Sequence, residues 1–272
     1  VRTLKLTLAY DGTQYVGWQR QATGASVQAL VEAALAPLEG GQRVPVAGAG
    51  RTDAGVHALG QVASCRIRSH LDTRACLRAL NARLPADVRV LDVAEAPRRF
   101  HARFWALGKT YAYFVLQAPV ADPLAVRYVW HQSQPLDLEG MRSALAALVG
   151  THDFKGFQAA GTRVVDTVRT LRTATLLAEP WGGLFGRARG WPSSGLLLRF
   201  ELEGDGFLRH MVRNVVGTVV EVGLGRREAR DVSRVLRGRD RRQAGMTAPA
   251  RGLVLLDVRH AEGPVAGRGS PE

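Results

Sequence analysis

Residues 48–58 read GAGRTDAGVHA, an Arg-Thr-Asp triplet and a histidine set among three glycines. They match neither a GxGxxG fingerprint nor the GK[ST] of a phosphate-cradling loop. Glycines so placed suit tight turns and close approach of another chain to the backbone. Asp53 can serve there as a plain turn cap bonded to local amides. It also has a chemical use: a carboxylate held near Arg51 suits a nucleophile or electrostatic anchor better than a general acid. A positioned carboxylate can attack an electrophilic carbon. His57 is either a hydrogen-bonding member of the loop or a contact to a bound polynucleotide.

Three further stretches carry candidate chemistry. In FHARFWALGKTYAYFV, residues 100–115, Tyr111 and Tyr113 fall on one face of a presumed strand, and Thr110, Ala112 and Phe114 on the other. The pair reads as core, or Tyr111 stacks on a base, with Arg103 and Lys109 nearby to meet phosphate. In GDGFLRHMVRN, residues 204–214, Phe207, Met211 and Val215 recur at helical spacing. Arg209 and Arg213, four apart, share another face, either solvated or turned to a site. Residues 226–242 hold Arg226, Arg227, Arg230, Arg234, Arg237, Arg239, Arg241 and Arg242 against only Glu228, Asp231 and Asp240. Such a patch makes phosphate contacts that position RNA rather than read it.

The elements that must hold these residues mix strands and helices. Alternation predicts a strand over 4–10, broken by Asp11 and Gly12. Ser26 caps a helix through Leu38, and Asp72 caps another with Leu77, Leu80 and Leu84 on one face. Strands follow near 62–67, 88–93 and 111–116. Pro119 and Pro123 mark a crossover, after which Asp137 caps a helix carrying Leu138, Met141, Leu145 and Leu148. Strands near 168–177 and 196–202, a long apolar helix from about Phe207 to Val222, a basic helix over 228–236 and a strand over 253–258 complete the pattern. GWPSSG at 190–195 reads as a loop. The order predicts an α+β protein with mainly antiparallel strands. Its expected division is an N-terminal half, 1–118, carrying the Asp53 loop, a C-terminal half, 119–260, and a flexible tail, 261–272.

Lys and Arg total 37 against 24 Asp and Glu, a formal net charge of +13, which draws in polyanions. The two cysteines, Cys65 and Cys76, form no CxxC pair and the histidines are scattered, so both thiols read as structural and no zinc site is expected. No signal peptide and no membrane-spanning apolar run is visible, which makes the cytoplasm the default expectation.

Several motifs in order carry a resemblance. YDGTQYVGWQRQ, GRTDAGVHALGQVA, FHARFWALGKTYAY, GTHDFKGF, FLRHMVRNVVG and APARGLVLLDV together resemble the bacterial-type tRNA pseudouridine synthase A family over nearly the whole chain. The resemblance implies two α/β halves with mainly antiparallel sheets flanking a basic cleft. It implies uridine isomerisation in the anticodon stem-loop of tRNA at positions 38, 39 and 40, with no metal or organic cofactor, by a homodimer. It maps the catalytic aspartate to Asp53, the active-site tyrosine to Tyr111, and family arginines to Arg51 and Arg209. Arg209 then orients Asp53, and Tyr111 stacks on uracil. A tyrosine hydroxyl, with an ordinary pKa of about 10, needs local activation to act as a base. Arg51, His57, Arg103, Lys109, Arg213, Arg226 and Arg227 are the expected RNA contacts. Two other classes fit the composition: a noncatalytic RNA-binding or RNA-folding module, and a nuclease using Asp53. The latter lacks an acidic cluster for metal.

Overall fold

The computed structural model describes residues 1–162, 164, 166–183 and 195–261. All but Ala261 of the expected tail, 261–272, and all but Gly195 of the 190–195 loop lie outside the described residues. The chain forms two compact units: Val1–Lys109 with the stretch from Val254, and Thr110–Leu253.

The first unit contains β1 (Arg2–Tyr10), α1 (Val27–Leu35), β2 (Val46–Gly48), β3 (His57–Ile67), α2 (Thr73–Asn81) and β4 (Val88–Ala96). Its strands run in the order β4-β1-β3, with β2 also antiparallel on β3. The last strand among the described residues, β10 (Leu253–His260), pairs parallel with the start of β3, Val254 opposite His57. Leu4, Leu6, Leu8 and Tyr10 of β1 are all buried, as strict alternation requires. Ser26 and Asp72 cap α1 and α2, each accepting the amide three residues on. α1 stops at Leu35, short of the expected Leu38. Pro37 has no amide proton for the α ladder, and Ala36–Glu39 closes as a 3-10 turn ending at Gly40. Cys76, Leu80 and Leu84 are the buried residues of the second helical stretch, and Leu77 is half-buried. Both cysteines are buried and free.

The second unit takes up β5 (Ala106–Gln117), from Thr110 onward. It adds β6 (Trp130–Gln132), α3 (Leu138–Ala146), β7 (Gly150–Asp153), β8 (Val168–Pro180), β9 (Leu196–Gly204), α4 (Met211–Gly223) and α5 (Ala229–Gly238). Its strand order is β5-β9-β8-β7, and β6 pairs parallel with β5. The helices pack on one another, and α3 also packs on β8. The mixed, mainly antiparallel architecture is the expected class. β2, β6 and β7, each three or four residues long, escaped the sequence pattern because so few residues show no period.

α4 is buried nearly all round, so its β-branched valines are held by packing rather than propensity. Gly217 makes that packing possible: a Cβ there meets the Met246 carbonyl oxygen at 1.8 Å. The helix begins at Met211, four residues later than expected. Phe207 lies in phase with the apolar stripe, but Gly204 and Gly206 precede it and His210 sits at φ 61°, which ends the run of helical dihedrals. Among the described residues, no helix is long and apolar enough to cross a membrane.

Candidate active site

Asp53 lies between β2 and β3 in the first unit. Its carbonyl accepts the Val56 amide at 3.1 Å, closing a turn that contains Gly55 at φ 75°. The preceding carbonyl, that of Thr52, accepts the Trp18 amide at 3.1 Å. Both peptide planes flanking Asp53 are thus fixed by hydrogen bonds. The 15–18 segment that supplies this support comes very close: Gly17 sits at φ 106°, and a Cβ on it lies 2.4 Å from the Thr52 oxygen and 3.0 Å from the Asp53 carbonyl carbon. Asp53 itself is half-buried, and Arg51 is exposed.

Beneath the loop is a buried polar group that the sequence reading did not single out. The hydroxyls of Tyr10 and Thr52 are 2.8 Å apart. The Gln61 amide nitrogen donates to the Gly50 carbonyl at 2.9 Å and to the Tyr10 hydroxyl at 3.4 Å. Tyr10, Thr52 and Gln61 are 4%, 5% and 0% exposed. Burial pushes the Tyr10 hydroxyl up to about 12, against the opposing pull of Thr52 and Gln61, so it keeps its proton and remains a donor. A polar Gln61 within the apolar run of β3 was the available signal; Tyr10 looked like one more member of the buried face of β1.

His57 is buried, and its Nδ1 accepts the Gly12 amide at 3.0 Å, with Asp11 Oδ1 also 3.0 Å away. Of the two uses open to His57 in the sequence, the geometry displays the loop-bonding one. Lys109 lies along the loop backbone, its Nζ 3.0 Å from where a Gly50 Cβ stands. Arg103 is exposed, with its guanidinium 5.8 Å from the Phe104 ring centre, and the His101 ring packs tilted against the same ring, centroids 4.3 Å apart.

In the second unit Tyr111 is buried on β5 with its ring edge-on to Phe207, centroids 5.0 Å apart. Phe207 lies in the loop ahead of α4. Tyr113 is a core residue: it is fully buried, and its hydroxyl donates to the Pro249 carbonyl at 2.7 Å. Arg209 is exposed in the loop before α4, where its carbonyl accepts the Ala159 amide at 2.9 Å. Because α4 starts at Met211, Arg209 and Arg213 do not share a helical face. Arg213 instead donates from Nε to the Ala248 carbonyl at 2.7 Å.

Arg209 lines a cavity of about 390 Å³ with Ala159, Ala160, His210, Arg241 and Thr247. Arg241, expected only as one of many surface arginines, reaches inward. It donates to the Ala244 and Gly245 carbonyls, to Asn214 Oδ1 and to Thr247 Oγ1, at 2.9–3.3 Å. Asn214 is fully buried and also donates to the Phe157 carbonyl at 2.7 Å. Arg226 is exposed, whereas Arg227 is engaged by Glu221 and the Gln243 carbonyl.

Residues 7–105 and 144–260 match a family model described as tRNA pseudouridine synthase. The chain belongs to the tRNA pseudouridine synthase family. It is 45% identical over 263 residues to a Myxococcus xanthus protein named tRNA pseudouridine synthase A, covering 97% of this chain and 94% of that one. A protein of the same name from Syntrophotalea carbinolica is 45% identical over 259 residues, covering 95% and 96%. One from Moorella thermoacetica is 44% identical over 259 residues, covering 94% and 99%. Membership makes this chain an enzyme that isomerises uridine to pseudouridine in tRNA. The segments matched to the pseudouridine synthase family contain Asp53 and Arg209, while Tyr111 and Lys109 fall in the stretch between them.

Proposed function

We propose that this pseudouridine synthase acts in the anticodon stem-loop, at positions 38, 39 and 40, with Asp53 as its essential carboxylate. The observation that supports the role of Asp53 is the fixed backbone on both sides of it; the target positions are those the resemblance implies. The reaction breaks the bond from C1′ to N1, turns the uracil, joins C1′ to C5 and removes the C5 proton. The detached base has to stay trapped between those steps, so a carboxylate of fixed direction matters as much as its reactivity. Attack on C1′ and assisted elimination to a glycal both suit such a group. The target base leaves its stack to be reached.

Tyr111 stacks on the uracil and assists proton removal, and Arg209 orients Asp53, as the resemblance implies. Exposed Arg51, Arg103 and Arg226 contact RNA, with Arg103 and Phe104 offering a cation beside an aromatic face. Lys109 and Arg213 add positive charge to these surfaces, Arg227 contributes less because Glu221 pairs with it, and His57 supports the loop from within. The enzyme works in the cytoplasm as a homodimer, without a metal or organic cofactor.

The test is incubation of purified enzyme with unmodified tRNAs bearing uridine at 38, 39 or 40, without added metal or nucleotide. Pseudouridine is mapped at single-base resolution beside an Asp53→Asn variant of matched folding. Product at these positions with the wild type alone is expected. Product from both proteins removes Asp53 from the chemistry, and product only at other positions removes the anticodon assignment.

A further inference from the structure

We infer that Tyr10 is a positioning residue for the reaction: through Thr52 its hydroxyl holds the loop that aims Asp53, with Gln61 fixing the direction of the hydrogen bonds. The inference rests on the reading of Asp53 as the essential carboxylate. Tyr10 lies at the end of β1 and Gln61 within β3, so the two are carried by paired strands. Between them they grip the loop at alternate residues, Gln61 at the Gly50 carbonyl and Tyr10 at the Thr52 side chain. Thr52 is the residue immediately before Asp53.

The polarity of this group follows from its members. The Gly50 carbonyl can only accept, so the Gln61 atom facing it is the nitrogen. That same nitrogen donates to the Tyr10 oxygen, which leaves the Tyr10 proton for Thr52. The chain of donors therefore runs from Gln61 through Tyr10 to Thr52.

Stability alone does not account for the arrangement. The Gln61 Oε1 is buried and has no hydrogen-bond partner among the described residues. A buried acceptor left in that state is unfavourable, and an apolar side chain of similar shape avoids the penalty. The neighbours on the same strands, Leu8 and Val62, are apolar. What the polar side chains add is direction. Trp18 and Val56 hold the carbonyls of Thr52 and Asp53, and Tyr10 holds the Thr52 side chain. Together they leave Asp53 little beyond its own side-chain rotations.

Tyr10→Phe keeps the ring and removes the hydroxyl; Thr52→Val keeps the shape and removes the same bond from the other end. Thr52→Ser restores a hydroxyl. Each variant, the Tyr10→Phe/Thr52→Val double variant and Asp53→Asn are assayed on tRNA under single-turnover and steady-state conditions, well below their unfolding midpoints. A displaced reacting group can lose on the order of 100-fold in rate. The expected result is a kcat about 10- to 100-fold lower for Tyr10→Phe and Thr52→Val, with KM for tRNA changed less than about 3-fold. Thr52→Ser should recover most of the rate, and the double variant should be no slower than the slower single one, since both remove one joint. Wild-type kcat in Tyr10→Phe, or losses that multiply in the double variant, overturns the inference. If Asp53→Asn is inactive in the same assay, that failure belongs to Tyr10 alone; activity in Asp53→Asn instead overturns the reading of Asp53.

Discussion

Asp53 owes its direction to the backbone around it, and the backbone in turn depends on a residue with no side chain. Gly17 occupies a left-handed conformation and lies against the Thr52 and Asp53 carbonyls at distances no Cβ can share. Gly17→Ala therefore meets both a φ penalty and a collision with backbone, together about 1–3 kcal/mol or more. Thermal unfolding should show that loss. Activity of the variant measured below its midpoint should fall further than the unfolded fraction explains, because the loop moves with Asp53 on it. Full activity per folded molecule contradicts this account of the loop. The same scale separates two arginines that the sequence placed together. Arg213 donates to the Ala248 carbonyl, while Arg209 precedes the helix and stands exposed at the cavity rim.

At the scale of elements, α1 is held by a buried carboxylate. Glu32 is 2% exposed and accepts from Arg20, Arg43, Gln28 and the Val46 amide, joining the helix to the start of β2. Burial alone raises a carboxyl group, but here the bonds from Arg43, Val46 and Arg20 outweigh it and hold Glu32 below its ordinary range. A depressed folded value means stabilisation that is complete above the ordinary carboxylate range and lost as pH falls through the folded value. Glu32→Gln should cost about 1.5–3 kcal/mol at neutral pH and flatten the fall of stability on acidification. Chemical denaturation at a series of pH values checks this, and parallel wild-type and variant curves contradict it. In the second unit Arg241 and Asn214 play a comparable part, tying the start of α4 to residues 244–247 and to the Phe157 carbonyl.

For the molecule as a whole, the count of 37 Lys and Arg overstates the cations free to meet RNA, because carboxylates answer many of them. Arg227, Arg230, Arg234, Arg239 and Arg242 meet Glu221, Glu228, Asp231, Asp153 and Asp240 respectively. Arg226 and Arg237 in the same run are exposed. If about six phosphates are contacted, affinity for tRNA should fall about 10³-fold between 50 and 200 mM salt. Arg226→Ala should reduce the slope of log K against log salt by about 1. Arg227→Ala should change it less, because its charge is already answered by Glu221. Equal effects of the two substitutions contradict this sorting of the basic run.

What the sequence determined by itself is local in origin. Alternation placed β1, polar caps at Ser26, Asp72 and Asp137 began three helices, and glycines around an Arg-Thr-Asp triplet marked the loop of Asp53. Ordered motifs along the chain then carried the family. Tertiary structure alone decided which distant side chains meet. Tyr10 reaches Gln61 across 51 residues through the pairing of β1 on β3, and Thr52 across 42 through the loop that leads into β3. It also decided where α4 begins, because periodicity cannot see the φ of His210, and which arginines turn inward. The reason is that a local pattern records which face a residue takes, whereas a hydrogen bond between distant residues depends on how separate elements are brought into register.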